Sequence, residues 1–183
     1  MIILASSSPT RAALLKGANI AFEVKASAFD EESLGDLPPC EFVYSAAIGK
    51  MRSAIELYGE NDPIIAADTA VVARGRTLRK PRDREDAKAK LSLQSGGKVS
   101  IVTCSVFHSR RAEMIDISQT RYIFAPFEAC DLERYLDSGD WRGKAGGVMV
   151  EGFAKPYIVS QIGYESTAMG LTIEALLPFV SSL

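Results

Sequence analysis

The run from Pro63 to Gly75, PIIAADTAVVARG, limits the fold more than any other stretch of the chain. Its Ile, Ala and Val residues follow one another without the polar alternation of a strand that keeps one face in water. Both faces therefore need cover, and the run is expected as a buried strand that ends in a turn. The opening MIIL reads as a second, short buried strand, and IAFEVKASAF alternates well enough for a third. Between them, ASSSPTRAALL reads as a hydroxyl-rich turn and a helix start. Ser8 is placed to cap it and Pro9 suits the first turn, where a missing N–H costs nothing. Further along, DEESLGDLPPCE is an acidic, proline-bearing loop, and CEFVYSAAIGKMRSAIELYG is a long helix closed by Gly59. DREDAKAKLSLQSGG is a helix opened by acids and closed by glycines. KVSIVTCSVFHS and EMIDISQTRYIFA follow as two strands joined by a polar RRA turn. FEACDLERYLDSGD is a helix, WRGKAGGVMVEGFA a glycine-rich loop, PYIVSQIG a strand, and STAMGLTIEALLPFV the last helix. Alternating helices and strands with one antiparallel pair predict the α/β class, with a mixed, twisted sheet flanked by helices. No repeat or linker interrupts the sequence, so residues 1–183 read as one domain.

Composition narrows the partners. At 183 residues the chain can bury a sizeable core. A net charge of −2 argues against stable binding to nucleic acid, which draws on a basic excess. No apolar run is long enough to span a bilayer, and no basic segment precedes MIIL. Cys40, Cys104 and Cys130 are odd in number and widely spaced, which gives neither a disulfide framework nor a zinc motif. His108 is the single histidine, so Ser–His triad and zinc-hydrolase chemistry are poorly supported. The expectation is a soluble, cytoplasmic protein without membrane partners.

Asp68 carries the most chemical information, because it interrupts the buried run. An isolated carboxylate there is costly, so it should be paired, protonated or bound to a cation. Its other reading is an Asp at a strand end that caps a turn. Arg74, Arg76, Arg79, Lys80, Arg82 and Arg84 crowd one segment. Most such runs are solvated turns, but Pro81 stiffens the backbone beside Lys80. Lys50 is a charge in a largely apolar helix, from which a lysine can also snorkel to water. Glu31, with Asp30 and Glu32, offers carboxylates to a hard cation, and a plain acidic loop would look the same. The helix start near Ser6 offers N–H groups and a positive dipole to an anion, and Arg11 adds a full charge. A capped helix with a surface arginine reads the same way. Together these residues suit a polyphosphate with a bridging Mg²⁺. There is no Walker pattern and no G-x-G-x-x-G.

LASSSPTRAALL, AADTAVV, KPRDREDAKAKLSLQSGG, KAGGVMVEGFA and YESTAMGL, in this order and spacing, resemble the Maf family of nucleoside triphosphate pyrophosphatases. The resemblance covers essentially the whole chain. It implies a Maf/ITPase-like α/β fold of two lobes around a central cleft, and a homodimer. It also implies hydrolysis of a normal or modified nucleoside triphosphate to monophosphate and pyrophosphate, with a divalent metal, Mg²⁺ or Mn²⁺. By this match Asp68, Lys50 and Lys80 are catalytic. Ser6, Arg11, Lys50, Lys80, Lys144 and Glu151 bind substrate, and Glu31 and Asp68 hold the metal. Three departures stand out. Thr10 replaces the first arginine of the family's S-x-S-P-R-R opening, Glu151 replaces a glutamine, and YESTAMGLTIE lacks the family's closing proline. They bear on rate and base choice. Thr10 favours an alternative, a catalytically weakened nucleotide-binding regulator of cell division. A carboxylate accepts hydrogen bonds only, so Glu151 in the base pocket favours guanine over uracil or thymine. Its other reading is an exposed residue, or one that pairs with Lys144 or Lys155.

Overall fold

The computed structural model describes residues 1–181. Among these, strands β1 (Ile2–Leu4), β2 (Phe22–Val24), β3 (Ile64–Ala73), β4 (Arg76–Leu78), β5 (Lys98–His108), β6 (Glu113–Phe124) and β7 (Ile158–Ile162) form one sheet. The order is β2-β1-β3-β5-β6-β7, with β4 added to β3. Parallel β1–β2 and β1–β3 pairs coexist with antiparallel β3–β4 and β6–β7 pairs, so the sheet is mixed. The helices are α1 (Pro9–Gly17), α2 (Pro39–Tyr58), α3 (Arg84–Gln94), α4 (Ala129–Ser138), α5 (Glu165–Ala168) and α6 (Ile173–Val180). Among the described residues no helix is long and apolar enough to cross a membrane.

The chain divides into two compact units. The first comprises Met1–Thr69, Thr103–Ser118 and the chain from Gly170 onward. Ile2, Leu4, Leu15, Ile65, Phe107 and Leu176 are among its core residues. Parallel pairing of β1 with β3, through Ile3 on Ile64 and Leu4 on Ile65, starts Ser6 and α1 beside β3. The second unit comprises Ala70–Val102 and Gln119–Met169. Its core is aromatic: Tyr122 stacks on Phe124, Tyr135 stacks on Phe153 at 4.4 Å between ring centres, and Phe127 meets Phe153 and Tyr157 edge-on.

Four local expectations change. IAFEVKASAF keeps only Phe22–Val24 as strand. The acidic loop winds one 3₁₀ turn, Glu31–Leu34, capped by the Asp30 side chain. RGRTLRK is not merely a solvated turn: β3 doubles back through Arg74 and Gly75, both at positive φ, and pairs Ala73 with Arg76 and Val71 with Leu78. Positive φ at two successive positions is what a tight two-residue hairpin requires. The last helix is broken into α5 and α6, because Gly170 sits at φ +102°. No helix passes through that conformation.

Candidate active site

Ser8 begins α1 as expected, its hydroxyl accepting from the Arg11 backbone N–H at 3.4 Å. Arg11 is not the surface arginine of a plain capped helix. It is buried, and its side chain makes three bonds within the first unit. Nε donates to the Gly170 carbonyl at 2.7 Å, Nη1 to the Ser6 hydroxyl at 3.0 Å and Nη2 to the Thr69 hydroxyl at 3.3 Å. Thr69 in turn shares a 2.9 Å hydrogen bond with Thr103. Ser6 also accepts from the Ser8 N–H, which fixes the turn between β1 and α1. Burial lowers the Arg11 pKa, while Asp68 and Glu31 raise it. The guanidinium remains a cation, and these bonds occupy three of its five N–H groups.

Asp68 lies within β3, 3% exposed, and is not a strand-end cap. Its carboxylate accepts from the Lys50 ammonium, which also donates to Glu31 at 3.0 Å. The reach from Glu31 to Lys50 has a local cause. Gly49 has no side chain, and the Phe29 ring occupies the place a Cβ would take. Phe29 thus lies directly on α2 and brings the Glu31–Leu34 turn to the flank that carries Lys50. Burial raises the Asp68 pKa above the ordinary carboxylate range, Lys50 pulls it down, and a hydrogen bond with Glu31 raises it further. Arg11 is a second cation within electrostatic reach of both carboxylates. Gly49, Thr69 and Gly170 are the positions that sequence reasoning missed, although a glycine inside an apolar helix and one inside an expected helix are visible signals.

Lys80, Lys144 and Glu151 belong to the second unit. Lys80 is exposed, between Arg79 and Pro81. Lys144 opens a tight turn in which Gly146 and Gly147 both take positive φ, at +60° and +68°. Glu151 pairs with Lys144 at 3.7 Å, one of the two readings its sequence allowed. Of the basic run, Arg84 is not a solvated turn residue. It joins α3 to α4 by bonds to Glu133 at 2.6 Å and Asp137 at 2.7 Å. Arg74 donates to the Leu93 carbonyl.

Two carboxylates that converge on one cation are the donor set that Mg²⁺ commonly takes from a protein, with the rest from water and phosphate. Among the described residues no group of three or more His, Cys, Asp or Glu could hold a metal ion. Glu31 and Asp68 alone offer two carboxylates, both already bonded to Lys50.

The chain matches the family model described as Maf-like protein over residues 1–183. It is 49% identical over 185 residues to a nucleoside triphosphate pyrophosphatase of a Nitratiruptor species, covering 100% of both chains. Proteins of the same name from Helicobacter pylori and Campylobacter jejuni are 43% and 34% identical. This chain is covered to 96% in both matches, and the relatives to 93% and 98%.

Proposed function

This chain belongs to the Maf family, and from that premise we propose that it is a nucleoside triphosphate pyrophosphatase acting on a normal or modified nucleotide with Mg²⁺ or Mn²⁺. The observation that carries the reading is the buried Asp68, held by Lys50 beside Glu31 where packing alone favours an apolar residue. Water adds to the α-phosphorus in line, the bond to the bridging oxygen breaks, and pyrophosphate leaves with the electron pair. Asp68 in its ionised form orients that water and takes its proton as the bond to phosphorus forms. Lys50 and Lys80 stabilise charge that develops on the phosphate oxygens, usually the dominant contribution at such centres. Ser6, Arg11 and Lys144 bind phosphates, and Glu151 reads the base. Glu31 and Asp68 would hold the metal, which would supply charge neutralisation at the phosphates. Homodimer formation and a cytoplasmic location belong to the same proposal; the first rests on the family resemblance and the second on composition and cysteine usage.

The test is to incubate the purified protein and Mg²⁺ with normal and modified nucleoside triphosphates and to identify the products. Monophosphate plus pyrophosphate is expected. Binding without turnover would return the chain to the regulator reading that Thr10 raised.

A further inference from the structure

Gln94 ends α3 in the core of the second unit, fully buried. Its Nε2 donates to the Gly146 carbonyl at 2.8 Å and to the Lys90 carbonyl at 3.1 Å. Its Oε1 has no hydrogen-bond partner among the described residues. A buried acceptor left unpaired is destabilising, and an apolar side chain would avoid that cost. Departures of this kind from core chemistry concentrate at functional positions.

The Gly146 bond is one of several that tie the same turn down. The Gly146 N–H donates to the Arg79 carbonyl at 3.2 Å, and the Tyr135 hydroxyl donates to the Gly147 carbonyl at 2.9 Å. A Cβ on Gly147 would stand 3.0 Å from the Pro81 ring, and one on Gly146 would stand 3.0 Å from Val71 and 3.3 Å from Gln94 Nε2. Arg79 and Pro81 are the two neighbours of Lys80, and Lys144 opens the turn that they touch. Gln94 joins this assembly through its bond to the centre of the turn.

We propose that Gln94 is a positioning residue for the phosphate-binding lysines. By holding the Gly146 carbonyl, its buried amide keeps the Lys144–Gly147 turn against the Arg79–Pro81 segment and fixes where Lys80 and Lys144 stand relative to each other. The inference rests on the proposed function for the role of the two lysines. Gln94 touches neither substrate nor reacting atoms, so its loss acts only through the two lysines: on capture of the pyrophosphate portion and, through Lys80, on turnover.

Gln94→Met keeps the length of the side chain and removes the amide. It is expected to raise KM for the triphosphate and to weaken binding of inorganic pyrophosphate, each about tenfold, the scale of one lost hydrogen bond. Affinity for the nucleoside monophosphate should stay near wild type, while the turnover number falls to the extent that Lys80 is displaced. Gln94→Leu carries the same test should the Met variant not fold. Unchanged pyrophosphate affinity, or an equal loss of monophosphate affinity, overturns the positioning role. Pyrophosphate titration needs no turnover. A wild type that binds pyrophosphate but does not cleave triphosphates therefore defeats the proposed function, while the Gln94 comparison still decides the positioning role.

Discussion

Asp68 shows how far a single residue can be read. Its place inside a doubly covered strand announces a carboxylate that needs a reason, but a sequence does not say which cation meets it. Lys50 is 18 residues away along the chain, and Glu31 joins the pair because Phe29 packs on Gly49 and brings the acidic turn to α2. Asp68→Asn should lose at least about 100-fold in turnover, the ordinary contribution of a positioned acid–base group. Its stability should respond to pH in a defined direction. The Asp68 pKa is raised in the folded protein, chiefly by burial. Its contribution is therefore fully present below about pH 3.9, the unfolded value, and is lost as pH rises through the folded value. The Asn variant, measured in chelator, should match wild type in acid and gain on it toward neutrality. A gap in melting temperature that widens in wild type's favour with rising pH would refute this. Glu151 carries a second prediction. Paired with Lys144 in the protein alone, it has lone pairs to offer when Lys144 turns to a phosphate. Guanine presents N1–H and its amino group side by side, whereas uracil and thymine set two carbonyls against the carboxylate. Mismatched polar contacts cost about 1–3 kcal/mol, so wild type should favour guanine-type triphosphates by roughly tenfold. Glu151→Gln should narrow that preference; a wild type that prefers UTP or dTTP removes Glu151 from base reading.

At the scale of elements, the long helices and the paired β5 and β6 are legible in the sequence, because their periodicity and caps agree with their tertiary setting. Two misreadings share one cause, a backbone conformation that side-chain pattern does not report. Arg74 takes positive φ although it is not glycine, so the hairpin into β4 has no strong turn signature. STAMGLTIEALLPFV reads as one helix because Met, Leu, Ile and Ala fit the period, and Gly170 alone betrays the break. That break has a purpose in the site: the Gly170 carbonyl takes the Arg11 Nε bond. The same glycine is a possible stop signal, but it sits in an apolar run where a helix tolerates one glycine at about 1 kcal/mol. Gly170→Ala is therefore a sharp test. A Cβ would stand 3.2 Å from the Thr69 hydroxyl and 3.3 Å from Arg11 Nε, on a backbone at φ +102°. Strain of that kind costs about 1–3 kcal/mol. Melting temperature should fall by several degrees, and KM for the triphosphate should rise as Arg11 is displaced. Wild-type values for both would mean that the Arg11 anchor is dispensable.

For the whole molecule, metal and fold should prove separable. Lys50 already meets both Glu31 and Asp68, so the carboxylates that would hold Mg²⁺ are partnered without it. Chelation should abolish turnover and leave the metal-free protein's melting temperature unchanged; a large drop would make the metal structural. The units raise a harder question, because neither is a continuous piece of chain. The first is assembled from three segments and the second from two. The chain passes from one unit to the other within β3 after Thr69, within β5 at Val102 and within β6 after Ser118. A strand is ordered along its length by its ladder of hydrogen bonds, and melting one half of β3, β5 or β6 frays the other. Three such strands should couple the two units through the backbone itself. We therefore expect residues 1–183 to unfold as one domain, in a single cooperative transition. Far-ultraviolet and near-ultraviolet circular dichroism should then give coincident curves, and the calorimetric and van't Hoff enthalpies should agree. The near-ultraviolet signal offers a direct check, because Trp141 and the Tyr135–Phe153 stack lie in the second unit. If that signal melts apart from the helical signal, the units are independent and the single-domain reading fails.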